Sequence, residues 1–212
     1  MSISRRQTLF TLATASAASV LPKTSSASVI KSPAFVPCLN MSTIRGQKLG
    51  FVKELEIASK AGFRSVEIWI DSLQEYIKNG GTPAQALKIL GDLGVKVENA
   101  IGFAPWIIDD DAARAKGVDQ LKREMELLAQ IGCMRVATPS VGAQGPQAPR
   151  IDLLKAAERY RTILEISDQT KVIPQLELWG FSKNLNKLSE VMYVAIESGH
   201  PSARVLLDVY HL

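Results

Sequence analysis

The sequence predicts an α/β fold of the (β/α)8-barrel type, and three observations lead there. Short β-rich runs alternate with amphipathic stretches of helical period roughly every 30–40 residues, the mark of parallel βαβ units. No Gly-x-Gly-x-x-Gly run follows a strand and no phosphate-loop pattern ending in Gly-Lys-Ser/Thr occurs. That disfavours the dinucleotide-binding doubly wound sheet. Polar residues sit at alternating positions near the C-terminal ends of the strands, where barrel enzymes assemble their active sites.

The β-rich runs are Cys38–Thr43, Ser65–Ile70, Val95–Ile101, Met134–Thr138, Val172–Leu178 and Ala203–Val209. Leu49–Ala61, Pro83–Leu93, Ala112–Ile131, Ile151–Ser167 and Leu185–Ser198 carry apolar residues at helical spacing. Thr82-Pro83 is a helix start, and Gly62, Gly94, Gly132 and Gly199 each stop one. Asp109-Asp110-Asp111 reads as a solvated turn entering a helix, and Gly142 to Gly145 as a flexible loop. Only about six βα units are present, whereas a closed barrel has eight and about 250 residues. The expectation is therefore a partial, C-terminally truncated barrel over residues 37–212, with open edges on its first and sixth strands.

With 212 residues, 46% of them hydrophobic and 22% charged, the chain has the composition of one globular domain. A mean hydropathy of +0.06 and the lack of a twenty-residue apolar run argue against a membrane span. Residues 1–27 read as an export signal: Arg5-Arg6 is a twin-arginine start, Leu9 to Leu21 a weakly apolar stretch, and Ser25-Ser26-Ala27 a small-residue cleavage site. The expectation is a periplasmic or exported protein, with residues 28–36 as a linker. That leader holds three cations and no acid, so the net charge of +4 falls to +1 without it, and no nucleic-acid footprint remains. Cys38 and Cys133 are too few for a disulfide framework and read as buried free thiols.

In Val172–Trp179, alternation puts Gln175, Glu177 and Trp179 on one face. A carboxylate on an otherwise buried parallel strand demands a partner, which makes Glu177 either a metal-ligand candidate or the mate of a cation such as Arg135. Asp208 ends the next strand and would enter the mouth beside Glu177, with His211 three residues on. Two carboxylates converging there suit a hard divalent cation, and an added imidazole brings in Zn²⁺. His211 is open to three readings: metal ligand, substrate hydrogen-bonder or isolated histidine. Glu67 shares a face with Trp69 and is either a partner for substrate hydroxyls or a member of a core ion pair. Trp69, Trp106 and Trp179 follow strands and would wall a pocket or pack in the core. Asn40 and Asn99 are weaker candidates.

These residues carry a resemblance. Leu176-Glu177-Leu178-Trp179 followed by Asp208-Val209-Tyr210-His211 resembles the xylose isomerase-like TIM barrel superfamily, in particular its sugar phosphate isomerase/epimerase branch. Val66-Glu67-Ile68-Trp69 fits the same group, and the resemblance spans roughly residues 35–212. It implies a metal-dependent isomerase or epimerase that acts on a small sugar or sugar derivative through an enediolate. Glu177 would be a metal ligand and one of two catalytic glutamates, Asp208 the second ligand, and His211 would contact the substrate's oxygen atoms; Glu67, Trp69 and Trp179 remain, from their strand positions, candidate substrate-binding residues. The metal would be Mn²⁺, Mg²⁺, Co²⁺ or Zn²⁺. The family pattern also calls for a His on a seventh strand and a second catalytic Glu on an eighth, so impaired turnover is expected of this chain. A homo-oligomer would cover the open edges. The alternatives are an endonuclease IV-like metal-dependent hydrolase and a non-catalytic carbohydrate-binding or degenerate barrel.

Overall fold

The computed structural model describes residues 35–212; the leader and most of the linker expected from the sequence lie outside them. Six strands form one parallel sheet in chain order: β1 (Cys38–Asn40), β2 (Ser65–Trp69), β3 (Lys96–Ile101), β4 (Arg135–Thr138), β5 (Ile173–Glu177) and β6 (Val205–Leu206). The helices between them are α1 (Phe51–Lys60), α2 (Ile70–Lys78), α3 (Pro83–Leu93), α4 (Asp111–Gln130), α5 (Leu153–Thr170) and α6 (Leu188–Glu197). The sheet curls into a partial (β/α) barrel with its helices outside, as the alternation predicts.

Alternation along each strand divides the two faces. In β2, Val66 and Ile68 are buried against the helices, while Glu67 and Trp69 stay half-buried on the concave side. In β5, Pro174 and Leu176 take the helix side, and Gln175 and Glu177 the other. The core between sheet and helices joins Leu55, Leu73, Leu121, Met125, Leu128, Ile163, Leu164 and Val191, all at most 1% exposed. Burying a side chain of that size contributes roughly 1.5–3 kcal/mol, so the outer layer carries the stability and leaves the inner face free for polar residues.

Local signals act as read. Thr82 and Gln85 form a reciprocal capping box at the start of α3, and Gly94 ends that helix in the left-handed conformation. Asp110 caps α4 by accepting from Ala113 N at 2.8 Å.

Three expectations need correction. Ile70 opens α2 instead of ending β2, and that helix was missed because it follows its strand with no intervening turn residue. Cys38 is exposed because it stands on an outer strand of the sheet; Cys133 is buried as expected, and both are free thiols. The loop from Gly142 is packed rather than loose: Ala143 is 2% exposed and the Gln144 carbonyl accepts from Lys183 N at 2.9 Å. Among the described residues no helix is long and apolar enough to cross a membrane.

Tyr160 on α5 ties the last two strands together. Its buried hydroxyl lies 2.9 Å from the Pro174 carbonyl and 2.8 Å from that of Arg204, and it accepts from Arg204 N at 3.2 Å. Tyr160→Phe strands those backbone groups and should lower stability by about 1–3 kcal/mol, read as the urea midpoint; an unshifted midpoint would show that the hydroxyl is dispensable.

Candidate metal and substrate site

Strand register builds the first half of the site. Asn40 pairs with Glu67 across β1 and β2, and Glu67 pairs with Asn99 across β2 and β3. The second pairing exists because the register shifts between Val66 and Glu67; unshifted, Glu67 would stand beside Glu98. The bulge thus exchanges a like charge for an amide donor. Asn40 Nδ2 donates to Glu67 Oε2 at 2.5 Å and Asn99 Nδ2 to Oε1 at 2.7 Å. Burial pushes the Glu67 carboxyl above its ordinary value; the Asn99 hydrogen bond opposes this and the Asp208 charge adds to it.

The second half comes from β5 and the turn after β6. Glu177, 7% exposed, ends β5 opposite Leu206. Two residues beyond Leu206, Asp208 caps a 3-10 turn, accepting from Tyr210 N at 2.9 Å. That turn brings His211 back until its Nε2 lies 3.9 Å from Glu177 Oε1. One donor atom from each of Glu177, Asp208 and His211 lies within 4.8 Å of the others. Glu177 Oε2 is buried and has no hydrogen-bond partner. Burial pushes the Glu177 carboxyl up to about 7; Trp179 pulls the other way, and the charges of Glu67 and Asp208 push it further up. Arg135, the alternative partner, goes instead to Glu98 at 3.3 Å.

An aromatic strip lines the mouth. Trp69 stacks on Phe103 with ring centroids 5.0 Å apart, Phe103 meets Trp179 at 6.3 Å, and Trp179 stacks on Phe181 at 5.2 Å. Phe181 then reaches His211 at 5.5 Å. Trp69 is fixed by donating to Ser42 Oγ at 2.8 Å and by the Arg45 guanidinium, 3.7 Å from its ring centroid. Asp71 in turn holds Arg45 through contacts of 3.0 and 2.6 Å. Trp106 belongs to the core: it is fully buried beside Tyr160 and donates to the Pro139 carbonyl at 3.0 Å.

The loops after β4 and β5 are clamped to each other, which places Trp179 and Phe181. Asn184, 4% exposed, accepts from Ile151 N and donates to the carbonyls of Ala143 and Pro149, each at 2.9 Å. Ser140 Oγ donates to the Asn184 carbonyl at 3.0 Å. Gly180 packs so close to His211 that a Cβ there would overlap the His211 carbonyl oxygen.

The structure therefore brings Glu177, Asp208 and His211 to one point, with Glu67, Trp69 and Trp179 on the same cavity of about 720 Å³. Phe103 and Phe181 were missed. Phe103 was legible, since it continues the inward alternation of Asn99 and Ile101. Phe181 and the Arg45–Asp71 pair lie in loops or span 26 residues, and no local pattern announces them.

The family model described as the xylose isomerase-like TIM barrel matches residues 55–212. The chain belongs to that family. Several solved structures share its fold. The IolI protein crystallised with a bound zinc atom is 17% identical, with a TM-score of 0.69 over 82% of this chain and 63% of its own. L-ribulose 3-epimerase is 19% identical, with a TM-score of 0.65 over 82% of this chain and 60% of its own. D-psicose 3-epimerase, crystallised in the presence of D-fructose, is 20% identical, with a TM-score of 0.64 over 82% and 61%. The chain thus spans less than two thirds of the length of each of these proteins. No curated protein sequence matches it.

Because the chain holds only two histidines, the Gly180 contact is directly testable. Gly180→Ala should shift the imidazole NMR signals of His211 and leave those of His200 unchanged, with the circular dichroism spectrum preserved. An unmoved His211 signal would show that the close approach does not position it.

Proposed function

We propose that the protein binds a divalent metal ion through Glu177, Asp208 and His211 and serves a sugar isomerase or epimerase reaction. The observation that carries this reading is the convergence of those three side chains around a buried Glu177 oxygen with no partner. A carboxylate left so at a barrel mouth is disfavoured unless a cation occupies the point it faces. The donor set fits: two carboxylates suit Mn²⁺ or Mg²⁺, and the imidazole extends the range to Co²⁺ and Zn²⁺.

Bound there, such an ion would polarise a substrate carbonyl and acidify the neighbouring C–H bond. The chain's own residues supply the rest. Glu177 is the base: its carboxylate, held at the mouth beside the ion, takes a proton from carbon and can give one up again. Glu67, fixed by two asparagine amides, accepts hydrogen bonds from substrate hydroxyls with no freedom to turn away. His211 donates to a substrate oxygen or completes the ligand set. Trp69 and Trp179 wall the site and displace water from it, which strengthens every charge interaction inside. The family's epimerase structures support a sugar as the substrate class. The twin-arginine pattern supports export of the chain in folded form.

Calorimetry on the purified chain tests the metal site. Mn²⁺ should bind with micromolar affinity, and Asp208→Asn or Glu177→Gln should weaken it at least a hundredfold. Wild-type affinity in both variants would refute the assignment. The pH dependence follows from Glu177. Its carboxyl holds a proton more tightly folded than unfolded, so its contribution to stability is present below about 4.5, the ordinary value, and is lost as pH rises through about 7. Metal binding runs the other way, because the ion must displace that proton: Mn²⁺ affinity should fall about tenfold for each unit below pH 7 and level off above it. A flat profile from pH 5 to 8 would remove Glu177 from the ligand set.

A further inference from the structure

Resting on the reading of the mouth as a sugar site, we propose that Arg45 is a positioning residue. It holds Trp69 between itself and Phe103, so that Trp69 bounds the substrate space with its edge and does not stack on a sugar ring. The geometry follows from two contacts. The Arg45 guanidinium carbon lies 3.7 Å from the Trp69 ring centroid, and the Phe103 ring stacks on the same indole at 5.0 Å with 29° between the planes. Non-bonded carbons keep about 3.5–4 Å apart, and a guanidinium and a phenyl ring are too broad to lie side by side over one indole face at those distances. They therefore take opposite faces. The remaining polar point of the ring is committed too, since Nε1 donates to Ser42 Oγ at 2.8 Å.

Arg45 acts through Trp69 and not on the substrate. Trp69 and Phe103 line the mouth, and Arg45 does not. Arg45 lines a separate cavity of about 810 Å³ together with Asp71, and neither ring borders that one. The stacked pair is thus part of the partition between the two spaces. Asp71 fixes the guanidinium at two points, 3.0 and 2.6 Å, which sets the plane that the indole meets. Asp71 itself stands in the first turn of α2, where a carboxylate is favoured. The side chains of Arg45 and Asp71 are 39% and 53% exposed. An ion pair so exposed adds little to global stability, so its effect is on where the ring sits.

Proton NMR on the full chain with ¹⁵N-labelled tryptophan tests this without metal or sugar; the Trp69 indole signal is the one lost in Trp69→Phe. Cross-relaxation should link the Trp69 ring to Phe103 and to the Arg45 side chain, and should not link those two to each other. A direct Arg45–Phe103 signal would put both on one face and overturn the sandwich. Solvent exchange of the Trp69 Nε1–H should quicken at least tenfold in Arg45→Met, with Arg45→Lys in between because it keeps the charge and loses the planar fork. The Trp106 Nε1–H, bonded to the Pro139 carbonyl in the core, should exchange as in the wild type. Asp71→Asn, which alters neither ring nor its cation, should still move the Phe103 ring signals, and it carries the test if Arg45→Met does not fold. Unchanged Trp69 exchange and Phe103 signals would refute the positioning role, as would equal acceleration at Trp106. These results are independent of the Mn²⁺ titration: failure here leaves the metal reading standing, and failure there leaves the positioning role of Arg45 intact.

Discussion

Everything at the mouth depends on one constraint, a glutamate side chain that ends a buried parallel strand. Moving the Glu177 carboxylate out of water while leaving one oxygen without a partner is costly on its own. The surroundings share that cost instead of removing it: a histidine stands 3.9 Å away, and two further carboxylates raise the proton affinity of the group. A site designed only for stability would have placed Arg135 there, and the fold sends Arg135 to Glu98. The strain is held by the apolar layer outside the sheet, where Leu176, Val191 and Ile163 are fully buried. Core and site thus sit on opposite faces of the same strands and meet different requirements.

Much of this was legible in the sequence because it rests on period and position. Among the described residues, the six strands, five of the six α-helices and the approach of Asp208 to Glu177 follow from alternation and from the spacing of adjacent strands. What escaped has a physical reason in each case. The bulge that gives Glu67 its second amide depends on how two strands twist against each other, and nothing in Val66-Glu67 or Glu98-Asn99 encodes it locally. Helix α2 begins on the residue after its strand and lacks the turn chemistry that marks the other helix starts. The stacking of Arg45 on Trp69 and the Asn184 clamp join segments far apart in the chain. Cys38 was misjudged because an outer strand exposes what a central one would bury.

The parts of the site differ in how firmly they are held. Glu67 and its two asparagines stand on three adjacent strands and inherit the rigidity of the sheet. Trp179 and Phe181 stand on a loop, but the Asn184 hydrogen bonds give that loop interior order, with each polar group of the amide satisfied. His211 depends on a single 3-10 turn and on the absence of a side chain at Gly180. The rigid members are those read as orienting a substrate, and the adjustable one is a member of the charged cluster.

The attachment of β6 has a consequence of its own. Its first end is fastened by the Tyr160 hydroxyl, which bonds Arg204 from outside the barrel. Its other end leads within two residues to Asp208, one donor atom of which lies within 4.8 Å of Glu177 and His211. A two-residue strand supplies few ladder bonds of its own, so an ion held there as proposed would make the order of this edge and the filling of the site one equilibrium viewed from two ends. Heat resistance of the folded chain would then work as a gauge of occupancy, rising with the logarithm of free ion concentration once that exceeds the dissociation constant.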